Sequence, residues 1–259
     1  MAFVDANGIR IHYEFSGSDG LPVVVFSHSL GANLGMWEAQ AGALAGRFRV
    51  LRYDGRGHGE SSVPAGPYTA GDLGRDVLGL LDALEIGQAN FCGLSMGGVV
   101  GQWLGIHAPQ RLKRLVLADT AAKIGNEEIW NARVATVERE GLAPVIPGTL
   151  ERWYTAEFRA AHPKIVRSTE AMLQATSPAG YAACCAALRD TDFRAGLGGV
   201  SVPSLVIAGA SDPVTTPGDG RFLAGAIAGA QYVELAAAHL SNVEAAEAFN
   251  AALLRFLAD

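Results

Sequence analysis

Gly93-Leu94-Ser95-Met96-Gly97 has the spacing G-x-S-x-G. A serine hydroxyl is a weak nucleophile at neutral pH, and this spacing is one way to present it to an ester or acyl carbonyl. An apolar run at 89–94 precedes the serine and reads as a buried strand. Helical apolar spacing (Val99, Val100, Trp103, Leu104) follows and stops before Pro109. Strand, tight turn and helix together would put Ser95 on a strained turn. Gly93, Gly97 and Gly98 supply the room such a turn needs. The free N–H groups and positive dipole end of the helix would face the nucleophile. Without those flanking elements the pattern is only a glycine-rich connection.

The serine needs a base in reach and an acid to orient that base. His239 follows the last apolar strand, in Ala-Ala-His-Leu-Ser-Asn. The chain order Ser, acid, His makes it the expected base. His58 lies in a glycine-rich loop and reads as structural. His107 falls at the outer end of the elbow helix, and His12 on the polar face of an early strand, exposed to solvent. Two aspartates end apolar strands, Asp119 and Asp212. Asp212, in Gly-x-x-Asp-Pro one strand before His239, is the favoured acid, with Asp119 the alternative. The oxyanion that forms on attack needs two backbone donors. The N–H of Met96, next to the nucleophile, and that of Leu30, in the loop His28-Ser29-Leu30-Gly31, are the expected pair.

These groups need a frame. Residues 2–16 alternate around Asn7-Gly8 and predict an antiparallel hairpin. Buried strands are predicted at 22–27, 47–53, 112–118, 204–208 and 231–235, with helices at 36–44, 72–84, 220–227 and 243–257. From 121 to 198 the strand–helix alternation stops. Helical segments at 127–140, 144–160, 163–176 and 180–188 are punctuated by Gly141, Pro147, Pro163 and Pro178. The expected architecture is α/β, a mostly parallel sheet flanked by helices with an inserted helical cap. The core would be 1–120 and 199–259, and the cap 121–198.

The 259 residues are 49% hydrophobic and carry a formal charge of −6, with no basic run. Nucleic acid is therefore not an expected partner. An anionic ligand would have to be recognised by local cations, since no long-range field attracts it. No apolar stretch is long enough to span a bilayer, and no signal peptide is expected at the start of the chain. Cys92, Cys184 and Cys185 have no C-x-x-C spacing and read as small packed residues. No clustered ligand spacing calls for a metal. The expectation is a cytoplasmic protein without cofactor, whose oligomeric state the sequence leaves open.

The loop at 28–31, Asp54-x-Arg56-Gly57-His58-Gly59-x-Ser61, Gly93-Leu94-Ser95-Met96-Gly97-Gly98, Gly209-x-x-Asp212 and His239 together resemble the α/β-hydrolase superfamily. Within it the chain is similar to the 3-oxoadipate enol-lactonases. Residues 48–54 and 91–98, Trp130-Asn131-Ala132-Arg133, the stretch 175–181 and Ala238-His239-Leu240-Ser241-Asn242 carry that closer match. One departure is His28, where these lactonases often have Asn. The resemblance implies a small anionic enol-lactone substrate, opened to 3-oxoadipate in aromatic catabolism. It also puts a cation over the pocket. Arg133 is the candidate, with Trp130 and Trp153 as aromatic walls and Lys123 and Arg189 as the next cations. The core motifs fit a general carboxylesterase or perhydrolase as well. A non-catalytic ligand-binding receptor of this fold would not need Ser95, Asp212 and His239 together.

Overall fold

The computed structural model describes residues 2–258. Strands β1 (Ala2–Ala6), β2 (Ile9–Ser16), β3 (Val23–Ser27), β4 (Arg49–Tyr53), β5 (Ala89–Leu94), β6 (Leu112–Ala118), β7 (Ser204–Gly209) and β8 (Gln231–Leu235) form one sheet in the order β1-β2-β4-β3-β5-β6-β7-β8. β1 and β2 pair antiparallel, as do β2 and β4; the remaining pairs are parallel. Every residue of β5 and β7 is buried. Their unbroken apolar runs follow from packing against helices on both faces.

Helices α1 (Glu38–Leu44), α2 (Ala70–Ala83) and α3 (Met96–His107) lie between the first strands. α2 begins two residues before the predicted start. Thr69 caps it, exchanging hydrogen bonds with Asp72 in a capping box that the apolar spacing alone does not mark. Between β6 and β7 run α4 (Glu127–Glu140), α5 (Ile146–Trp153), α6 (Ala156–Ala161), α7 (Pro163–Ala175) and α8 (Pro178–Asp190), with no strand among them. Phe193 N–H donates to Ala122 O at 2.9 Å, closing the two ends of this segment against each other.

The single helix predicted at 144–160 is two. Tyr154 is extended (φ −133°, ψ 144°), and Thr155 caps α6 through the N–H of Phe158. The break serves the neighbouring loop: Leu240 N–H donates to Trp153 O at 3.0 Å, and the Glu244 carboxylate accepts from Thr155 N–H and Oγ1 and from Ala238 N–H. α9 (Pro217–Ala226) starts three residues early, again at a capping box, Thr216 with Asp219. The final helix is split at Ala245 into α10 (Ser241–Glu244) and α11 (Ala246–Ala258).

His12 is not exposed to solvent. It is 5% exposed, and its Nδ1 lies 2.8 Å from Asp54 Oδ2. The loop after β4 folds over the polar face of β2. It accepts the His12 N–H on Ser61 Oγ and gives the Ser62 N–H to Arg10 O. Strand alternation could not reveal a cover built from residues 42 to 49 positions away. All three cysteines are buried thiols.

Candidate active site

Ser95 sits between β5 and α3 with φ 57° and ψ −113°. A side chain other than glycine's in this region carries strain of about 1–3 kcal/mol and persists only where its surroundings impose it. Here the surroundings are tight. A Cβ on Gly93 would lie 2.0 Å from Gly97 O, and one on Gly97 would lie 2.1 Å from Ser27 O. The serine's own amide donates to Ala118 O at 3.0 Å, and its carbonyl accepts from Thr120 Oγ1 at 2.8 Å. β3, β5 and β6 thus clamp the turn at the carboxyl edge of the sheet.

His239 lies in the loop after β8, 1% exposed, with Nδ1 2.7 Å from Asp212 Oδ2. Asp212 follows β7. Its Oδ1 accepts the N–H groups of Val214 (2.7 Å) and Thr215 (3.1 Å), and its Oδ2 accepts Thr215 Oγ1 at 2.8 Å. Burial alone would raise the pKa of this carboxyl. The attraction of His239 and the hydrogen bonds from His239, Thr215 and Val214 outweigh it and hold Asp212 below the usual carboxylate value. Ser95 and His239 face one cavity of about 190 Å³, without a direct hydrogen bond between their side chains.

Asp119 is turned elsewhere. Oδ1 accepts Gly209 N–H at 2.7 Å, and Oδ2 accepts the hydroxyl and amide of Ser241. Burial, reinforced by the charge of Asp212, pushes its pKa up to about 7. It is a tie between the ends of β6 and β7 and the loop beyond His239.

The loop after β3 contributes Leu30 to the cavity wall. Among the described residues no acceptor meets the N–H of Leu30 or of Met96. The loop is held by two buried histidines. Gly31 N–H donates to His58 Nε2 and Gly55 N–H to His28 Nε2, each at 2.9 Å. Each ring's Nδ1–H is spent on a carbonyl, Arg56 O for His58 and Ser29 O for His28. Burial lowers both pKa values, that of His58 to about 3, so both rings are neutral acceptors.

Trp130, Arg133 and Trp153 all lie on the wall of the cavity. Trp130 is pinned by its indole N–H on Ile124 O at 2.7 Å, and Arg133 Cζ stands 5.8 Å from that indole ring. Lys123 and Arg189 are away from it. Lys123 faces Asp192 at 3.9 Å, and Arg189 is paired with Asp190 and Asn131. Sequence reasoning missed Arg152 and Tyr181, both on the wall. Thr149, Arg152 and Trp153 share one face of α5 at i, i+3 and i+4, so the spacing that placed Trp153 also places Arg152.

A serine at a strained turn, an imidazole backed by a carboxylate and two unused amides are the groups that acyl transfer requires. Residues 22–246 match the family model of the alpha/beta hydrolase fold. The chain belongs to the α/β-hydrolase family. Within it, the chain is 46% identical to the 3-oxoadipate enol-lactonase 2 of Acinetobacter baylyi, over 96% of this chain and 93% of that one. The crystal structure of the enol-lactonase from Burkholderia xenovorans LB400 superposes with a TM-score of 0.98 at 44% identity, covering 100% of both chains. The structure of a thermophilic esterase from Thermogutta terrifontis, malate bound, superposes at 0.94 with 29% identity, over 99% of this chain and 98% of that one. The chain therefore sits among the enol-lactonases of the α/β-hydrolase family. Among the described residues no helix is long and apolar enough to cross a membrane, and no cluster of three or more His, Cys, Asp or Glu side chains is placed to hold a metal ion.

Proposed function

We propose that the chain opens 3-oxoadipate enol-lactone to 3-oxoadipate, with Ser95 as nucleophile, His239 as base and Asp212 as the acid that orients it. One observation carries this: the Asp212–His239 pair opens onto the same cavity as Ser95 and the unneutralised guanidinium of Arg133. The first two groups supply ester chemistry. The third supplies affinity for an anionic acyl group, which a neutral-ester enzyme does not need.

His239 Nε2 takes the Ser95 proton as Oγ attacks the lactone carbonyl. The oxyanion is received by the N–H groups of Leu30 and Met96. Collapse breaks the ring C–O bond, and the enol oxygen leaves with the proton from His239. That oxygen remains tethered to the acyl group, but ketonisation of the enol removes it as a nucleophile that could reclose the ring. Water then gives a proton to His239 and attacks the acyl carbon. The proton returns to Ser95 Oγ as 3-oxoadipate departs. No cofactor enters any step.

In this reading residues 121–198 act as a cap over a core formed by 1–120 and 199–259. The cap supplies Trp130, Arg133 and Trp153 as substrate walls. The Arg133 guanidinium, with Trp130 beside it, grips the substrate carboxylate. A cytoplasmic enzyme of aromatic catabolism fits the three unpaired cysteines. The test is the loss of enol-lactone ultraviolet absorbance on adding purified protein, set against hydrolysis of p-nitrophenyl acetate. A specificity ratio favouring the neutral ester would assign the chain to the general esterases instead.

A further inference from the structure

Arg152 reaches the cavity from α5, and Arg133 reaches it from α4. Both side chains are half-buried. Burial and the repulsion of Arg133 together push the Arg152 pKa below the usual arginine value, though a guanidinium remains charged at neutral pH. Among the described residues neither arginine has a carboxylate within 4.0 Å; the half-buried Arg114 and Arg159 share that feature but do not line the cavity. Arg133 Nη1 donates to Tyr181 Oη at 3.1 Å, and Tyr181 is buried. That neutral hydroxyl orients Arg133 without cancelling its charge. Arg152 makes no hydrogen bond to any described residue.

Partial burial weakens the solvation of both guanidinium groups, so a carboxylate in the cavity gains more from them than it would at an open surface. Two guanidinium groups converging on one cavity without a counter-charge leave a standing repulsion. An anion between them relieves it.

We propose that Arg133 and Arg152 form a single carboxylate clamp, in which Arg152 is a specificity-determining residue that confines the enzyme to acyl groups ending in a carboxylate. The inference rests on the enol-lactonase reading above and adds the second half of the grip. A carboxylate oxygen can be shared between the two forks or each fork can take one oxygen. Either way the loss of one arginine halves the grip and leaves the chemistry at Ser95 alone.

The test compares wild type, Arg152→Met and Arg152→Lys on the enol-lactone and on p-nitrophenyl acetate, with adipate as a competitive inhibitor of the neutral ester. Arg152→Met raises KM for the lactone about tenfold with kcat nearly unchanged and weakens adipate inhibition by a similar factor, while KM for the neutral ester changes far less than KM for the lactone. Arg152→Lys, with charge but no fork, falls between. Equal losses on both substrates, or unchanged KM and unchanged adipate inhibition, overturn the clamp. A wild type that does not open the lactone overturns the enol-lactonase reading instead. The adipate arm, read on the neutral ester, still decides the clamp in that case.

Discussion

Gly31 donates its backbone N–H to Nε2 of His58 across 2.9 Å, and His58 is 1% exposed. A histidine in the glycine-rich loop after β4 thus fixes the peptide that follows Leu30. Replacing His58 by Ala leaves a buried donor unpaired, at a cost of about 1–3 kcal/mol in stability. The loop carries the Leu30 N–H proposed as an oxyanion donor, so kcat should fall more than KM rises. Thermal unfolding together with a kcat and KM measurement checks both halves. An unchanged kcat would show that the loop is held without His58.

Asp212 and Asp119 separate cleanly in a pair of amide substitutions. Asp212→Asn presents an NH2 group to His239 Nδ1 and favours the wrong tautomer, so kcat should drop by roughly 10³ or more. Asp119→Asn should leave most activity, because Asp119 bonds to Gly209 and Ser241 and not to the imidazole. The reverse outcome would transfer the acid's role to Asp119.

Asp119 also predicts a pH effect on stability. Its pKa is about 7 in the folded chain against an ordinary 3.8, so between these values the folded state binds the extra proton. Stability from this group therefore falls as pH rises from about 4 to 7. His28 and His58 act oppositely: their lowered pKa values make the unfolded chain the better proton binder below about 6.5, so stability is lost as pH falls. The two trends overlap, and the informative quantity is the difference between wild type and Asp119→Asn. The variant should gain relative stability as pH rises through that window. A difference independent of pH would mean that Asp119 ionises at its ordinary value.

Much of this arrangement is legible in the sequence, and the reasons differ by residue. Ser95 is legible because only glycine fits at 93 and 97, which leaves a motif. His239 is legible from chain order, and the buried strands from unbroken apolar runs. His12 was misread because the cover over its face comes from the loop at 54–62, beyond the reach of strand alternation. The break at Tyr154 is not legible because the group that holds it, Glu244, bonds to Thr155 from 89 residues further along the chain. Arg152 was legible in principle from the helical face it shares with Trp153.

The Tyr181 hydroxyl should matter for one substrate only. Tyr181→Phe removes the hydrogen bond that orients Arg133 and keeps the ring that fills the core. KM for the anionic lactone should rise severalfold, less than the tenfold or more expected of Arg133→Met. KM for p-nitrophenyl acetate should stay the same in both. Parallel changes on the two substrates would indicate disturbed packing of the helices between β6 and β7.

The central claim is that Ser95 opens the enol-lactone from a cavity served by His239 and Asp212. Its most direct measurement is the decay of enol-lactone absorbance with wild type and with Ser95→Ala at equal concentration. Rapid decay with wild type, reduced by roughly 10³ or more in the variant, is the predicted result. Decay at comparable rates with both proteins, or none with wild type, would contradict it.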